Sequence, residues 1–175
     1  MKSRLGSPIR CAGTKGIDVF KIAGASISGW YHSYKTAPGG VTRQPYTTQL
    51  ECFLGLYLEY HPWVATYQRG DLSLAFAQAH KVATPLGTPY GIDYAFEGRA
   101  HTYLPDYVGA LTAGGLVIAE AGLAVEKAKE QARAKAEAAR RWAHIKEGVY
   151  WLGTEETLAR QRHWNWLFLH ARRQN

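Results

Sequence analysis

Cysteine is almost absent from this 175-residue chain. Cys11 and Cys52 form no Cys-x-x-Cys pair, which excludes a disulfide framework and a zinc knuckle and points to a reducing compartment. Seven histidines are present, but none stands at His-x-His or His-x-x-x-His spacing. Neither a histidine metal cage nor a nucleophilic triad is therefore expected, and the histidines are assigned to the surface and the core edge. Acids are scarce, with 14 Asp and Glu against 21 Lys and Arg, a formal charge of +7 and a pI near 9.5. That balance favours a polyanionic partner, nucleic acid first; the alternative is charge that serves solubility alone. Long apolar runs are missing too, and Met1-Lys2-Ser3-Arg4 opens no signal peptide, so an intracellular protein without a membrane partner is expected.

What is present suffices for one domain: 46% of the residues are hydrophobic. Residues 1–45 carry Lys2, Arg4, Arg10, Lys15, Lys21, Lys35 and Arg43 against the single acid Asp18, which predicts a basic arm with one short strand near 17–22. Such an arm either lies on phosphate or is a poorly ordered terminus. The domain proper is expected over 46–175. Thr47 or Thr48 caps a helix whose stripe is Leu50, Phe53, Leu54, Tyr57 and Leu58, ending before His61-Pro62. A strand over 63–68, a short helix over 71–81 and a loop over 85–89 follow. A meander of strands over 90–96, 100–109 and 116–121 comes next. Leu116-Val117-Ile118-Ala119 lacks polar alternation, as suits a central strand buried on both faces. A long helix over 123–146, with Val125, Ala128, Ala132, Ala139 and Trp142 inward, leads to a strand over 149–152. Thr154-Glu155-Glu156 then opens a final helix through 172. The class is α/β, a central mixed sheet flanked by helices.

The chemistry concentrates in Tyr103-Leu104-Pro105-Asp106-Tyr107 and Gly114-Gly115-Leu116-Val117-Ile118-Ala119-Glu120-Ala121-Gly122, two neighbouring strands that each deliver one acid. Two carboxylates at adjacent strand ends suit Mg²⁺ or Mn²⁺, which polarises a phosphoryl oxygen and acidifies a water. Glu120 ends an apolar strand, where an unpaired charge is costly. Asp106 has the alternative of an exposed edge-strand carboxylate, and Glu51 that of a solvated residue flanking a helix stripe. The pattern is Pro-Asp, a spacer, then Glu-x-Lys, but Gly122 stands where the lysine belongs. Lys127 or Lys129, on the following helix, has a stem long enough to bring an ammonium group into that space. In the final helix Arg160, Arg162, Arg172 and Arg173 interleave with aromatics, a mixture that joins phosphate contact to stacking. The helical spacing of Trp164, Leu167 and Phe168 assigns those aromatics to the core, with the arginines on phosphate or solvent. Lys129, Arg133, Lys135, Arg140 and Arg141 are balanced by Glu126, Glu130 and Glu137, which describes a solvated helix, with a supporting role at the site for Glu137.

The order of these elements resembles the restriction-endonuclease-like fold of the PD-(D/E)xK nucleases. More narrowly, the chain resembles the amino-terminal nuclease domain of TnsA, the endonuclease partner of heteromeric transposases. The resemblance rests on Ser33-Tyr34-Lys35, Thr48-Gln49-Leu50-Glu51, the segment 56–68, Gly91-Ile92-Asp93-Tyr94 with Gly98, Tyr103-Leu104-Pro105-Asp106-Tyr107, Val117-Ile118-Ala119-Glu120 and the segment 137–142, across roughly residues 33–153. It implies catalytic roles for Glu51, Asp106 and Glu120, metal at Asp106 and Glu120, and double-stranded DNA and a transposase as partners. Lys127 stands in for the missing lysine, and Lys35, Arg43 and the arginines of the final helix would contact DNA. A homo-oligomer is compatible. Phage head-completion nucleases share the pattern, so the alternatives are a virion assembly protein or a catalytically silent DNA-binding subunit, in a virion rather than the cytoplasm in the first case.

Overall fold

The first helix is fixed by its own ends. Thr48 accepts the Glu51 N–H at 3.1 Å, while the Glu51 carboxylate reaches back to the Thr47 N–H at 2.7 Å, a reciprocal cap that starts α1 (Gln49–Tyr60). At the other end Lys35 donates from Nζ to the His61 carbonyl at 2.6 Å, and Pro62 follows. The computed structural model describes residues 19–22, 26–36, 42–70, 91–158 and 160–173. The helix expected over 71–81, the loop over 85–89 and the basic residues Lys2, Arg4, Arg10 and Lys15 lie outside the described residues.

Among the described residues three strands precede α1: β1 (Val19–Ile22), β2 (Ser26–His32) and β3 (Arg43–Tyr46), paired antiparallel in that order. The strand expected near 17–22 is β1. Beyond it the structure departs from a basic arm, because Tyr31, Ser33, Gln44 and Tyr46 are buried and Tyr31 and Tyr46 join the core against α1. Gly55 makes this approach possible: a side chain there would fall inside the Tyr31 hydroxyl. Tyr31 and Tyr46 thus belong to the packed body, and the boundary drawn at 45 falls within β3.

The central sheet has the order β4 (Val64–Arg69), β7 (Tyr107–Leu111), β8 (Leu116–Ala121), β9 (Val149–Gly153), the first two pairs antiparallel and β8–β9 parallel. As its unbroken apolar run predicts, β8 is central and buried through Glu120. Alternation along it sends Val117 and Ala119 to the α1 face, with Tyr67 and Tyr107, and Leu116 and Ile118 to the opposite face. There they meet Val108 and the alanines of α3 (Glu130–Ile145). The expected strand over 100–109 breaks at Pro105, which has no N–H for a ladder. Its first half is β6 (Arg99–Tyr103), which among the described residues pairs only with β5 (Ile92–Phe96), as a separate ribbon; its second half is β7.

The long helix also breaks. α2 (Ala124–Lys127) stops at Ala128, and Lys129 takes an extended conformation before α3 begins. The break rephases the helix, so Ala136, Ala139 and Ala143 are its buried stripe, while Val125 is 68% exposed. The last helix, α4 (Arg160–Arg173), begins later than Thr154, because Thr154 and Thr157 close a turn in which the Thr157 and Leu158 N–H groups bond the Thr154 carbonyl. α4 docks through His170, which is fully buried rather than at the edge of the core. Its Nε2–H donates to the His32 carbonyl at 2.6 Å, which leaves Nδ1 to accept from Tyr60 Oη at 3.1 Å. Among the described residues no helix is long and apolar enough to cross a membrane.

Candidate functional site

The β7–β8 register sets Tyr107 against Ala119, so one residue further along, where the ladder ends, Asp106 meets Glu120. The Asp106 carboxylate accepts the Ala121 N–H through Oδ2 at 2.7 Å, which fixes the carboxylate against the end of the neighbouring strand. Glu120 shares the face of Leu116 and Ile118 and is buried. Its Oε2 accepts from Lys127 Nζ at 2.9 Å and from Tyr150 Oη at 3.3 Å. Its Oε1 is buried with no hydrogen-bond partner. A buried carboxylate oxygen without a donor is costly, so Oε1 is the atom of this site most in need of a cation.

Lys127 arrives from α2, and its stem crosses Gly122. A Cβ at position 122 would meet Lys127 Cε at 2.5 Å, so the aliphatic part of Lys127 fills the space a strand-end side chain would take. Of the two lysines that reach was expected from, Lys127 alone takes this place; Lys129 turns to Glu126 on the solvent side.

Electrostatics at Asp106 are those of a carboxyl drawn out of water. Burial raises its pKa to about 6, and the charges of Glu51 and Glu120 push the same way, while the Ala121 N–H and Lys127 oppose them. Tyr103 and Tyr150 are likewise raised, first by burial and then by the charge of Glu120. The proton of Tyr150 is thereby kept on the phenol, where it donates to Glu120.

Glu51 lies close enough to act on Asp106, but its oxygens are already engaged. Oε1 accepts from the Thr47 hydroxyl at 2.8 Å, and Oε2 from the Thr47 N–H at 2.7 Å and from Arg69 at 2.8 Å. It caps α1 and pairs with the end of β4. Among the described residues no three His, Cys, Asp or Glu side chains converge, so the site is a carboxylate pair and not a cage.

Basic residues expected on DNA are dispersed. The Lys35 ammonium lies on the carbonyls that end α1, and burial lowers its pKa. Arg43 stacks over Trp30 at 3.7 Å, Arg172 over Phe168 and Arg173 over Tyr34, both at 4.3 Å. Arg162 is exposed, Arg160 opens α4 with its side chain outside the described set, and none of the other five makes a described hydrogen bond or ion pair with Asp106 or Glu120. Glu137 pairs with Arg140 and Arg141 on the exposed side of α3. Sequence reasoning missed Arg69 and Tyr150. Tyr150 reaches Glu120 only because β9 runs parallel beside β8, a long-range pairing that no local pattern encodes.

No protein-family model matches the chain, and no characterised protein matches it in sequence.

Proposed function

We propose that the chain is a metal-dependent endonuclease of the restriction-endonuclease-like fold, cutting phosphodiester bonds of double-stranded DNA as the TnsA-like subunit of a transposase or recombinase. The observation that carries this reading is the Asp106–Glu120 pair with Lys127 laid over Gly122 onto Glu120. The order α1, β4, β7, β8, α3, β9, with β9 parallel to β8, supports the fold assignment.

The residues present fit a hard divalent cation. Glu120 Oε1 is a buried oxygen lacking a donor, and Asp106 supplies a second carboxylate beside it. Two carboxylates, with water and substrate phosphate completing the shell, are the usual provision for Mg²⁺. Bound there, Mg²⁺ or Mn²⁺ supplies Lewis acidity to the phosphoryl oxygen and a more acidic water. Asp106 is held by the Ala121 N–H and Glu120 by Tyr150, so both carboxylates are oriented before any ligand arrives. Lys127 provides the ammonium group that steadies negative charge developing on the attacked phosphate. Glu51, engaged by Thr47 and Arg69, contributes its field at Asp106 and the position of α1.

Thermal unfolding with and without Mn²⁺ tests the pair: the wild type gains stability with metal and Asp106→Ala does not. Equal gains in both would remove Asp106 from the site. A cytoplasmic location and a transposase partner follow from this reading. A catalytically silent DNA-binding subunit is the second reading, and Gly122 is the residue that favours it.

A further inference from the structure

We propose that the cleft between α3 and β9 binds a backbone phosphate of the DNA adjoining the one attacked, an inference that rests on the nuclease reading of the carboxylate pair beside it. The cleft is a cavity of about 420 Å³ lined by Lys127, Arg133, Glu137, Arg140, Tyr150 and Leu152. Two of these residues are also the partners of Glu120: Lys127 through its ammonium and Tyr150 through its hydroxyl. The cleft and the carboxylate pair therefore share a wall.

The charge in the cleft exceeds what its own acids neutralise. Lys127 is matched by Glu120 at 2.9 Å. Arg140 pairs with Glu137 Oε2 at 3.7 Å, beyond hydrogen-bond distance, and the same carboxylate is shared with Arg141, which engages Oε1 at 3.0 Å, so one acid serves two arginines. Arg140 is steadied by the Tyr150 ring, 5.3 Å from its guanidinium carbon. Arg133 is exposed and makes no ion pair among the described residues. Arg133 and Arg140 are seven apart on α3, two turns along one helix face. Two guanidinium groups so placed, with five donors each, suit phosphate oxygens better than ammonium groups would. A duplex whose attacked phosphate sits at Asp106 and Glu120 has its next phosphate within reach of this face, so the cleft sets the register of the strand across the carboxylates.

Duplex binding without metal, titrated with salt in EDTA, tests the cleft separately from cutting. Arg133→Ala and Arg140→Ala should each lower the salt slope by about one and weaken affinity alike for all sequences. Lys146→Ala, at the far end of α3 where the ammonium lies over Trp142, removes the same charge outside the cleft and should leave the slope unchanged. Glu137→Gln, which frees Arg140, should tighten binding. Slopes unchanged in both arginine variants, a Lys146→Ala loss as large as theirs, or no duplex binding by the wild type would overturn the proposal. Wild-type protein that shows the arginine dependence but does not cut DNA with Mn²⁺, alone or with a cognate transposase, would leave the cleft standing as a site for backbone phosphate and count against the nuclease reading.

Discussion

Lys127 reaches across Gly122 to place its ammonium 2.9 Å from Glu120, so a side chain from a helix occupies the position that a strand-end lysine would fill. Glu120 is thereby paired, and the pair is only partly exposed, with 22% of the lysine side chain and 6% of the glutamate side chain accessible. Replacing Lys127 by Met should destabilise the metal-free protein by about 1–3 kcal/mol, because a buried carboxylate loses its cation. The same change should raise affinity for Mn²⁺, since the ammonium and the metal compete for one carboxylate. Calorimetric titration with Mn²⁺ reads the second effect; weaker metal binding in Lys127→Met would show that the lysine does not compete at Glu120.

Metal binding should also depend on pH through Asp106. Its folded pKa, about 6, lies above the ordinary 3.8, so the native state keeps a proton that the unfolded chain releases between those values. The stability this group contributes is complete below 3.8 and is lost as pH rises through about 6. Mn²⁺ requires the carboxylate, and its stabilising effect should grow from about pH 5 to about pH 7.5 and then level off. Asp106→Asn should abolish that dependence. A metal effect as large at about pH 5 as at neutrality would contradict it.

His170 works in the opposite direction. Burial lowers its pKa, and the ring is held neutral between the His32 carbonyl and Tyr60. A depressed pKa gives stability that is full above the unfolded value near 6.5 and lost as pH falls through the folded value. His170→Ala should cost about 1–3 kcal/mol at neutral pH by leaving its two partners unpaired. It should also flatten the loss of stability on acidification, which urea unfolding at about pH 7.5 and about pH 5 would measure.

Gly55→Ala probes the contact between α1 and the amino-terminal sheet. The new methyl group would meet the Tyr31 hydroxyl, with Tyr107 Oη 2.8 Å away, so about 1–3 kcal/mol of overpacking cost is expected. Chemical unfolding measures it. A neutral substitution would mean that Tyr31 does not pack against α1.

Much of the frame was legible locally. The cap at Thr48, the stop at His61-Pro62 and the apolar run of β8 are written in neighbouring residues, and so are Asp106 and Glu120 at the ends of two strands. What escaped depends on distant partners. Nothing between residues 26 and 46 announces that Tyr31 will lie over Gly55, and no Gly or Pro marks the break at Lys129. The engagement of Glu51 by Arg69 and of Glu120 by Tyr150 joins residues that the sequence separates by 18 and 30 positions. Lys127 sat between these cases: its length made the reach available, and the missing Cβ of Gly122 left the path open.

Duplex nicking in Mn²⁺, alone and with a cognate transposase, tests the central claim most directly. Wild-type protein should nick, and Lys127→Ala should lose at least about two orders of magnitude with little change in DNA affinity, the mark of an interaction made mainly in the transition state. Gly122→Lys combined with Lys127→Ala, which moves the ammonium from the helix to the strand end without the clash at Cε, should recover much of the loss. If neither the wild type nor the double variant cuts under any of these conditions, the carboxylate pair is not a nuclease site, and only a DNA-binding or assembly role is left to propose.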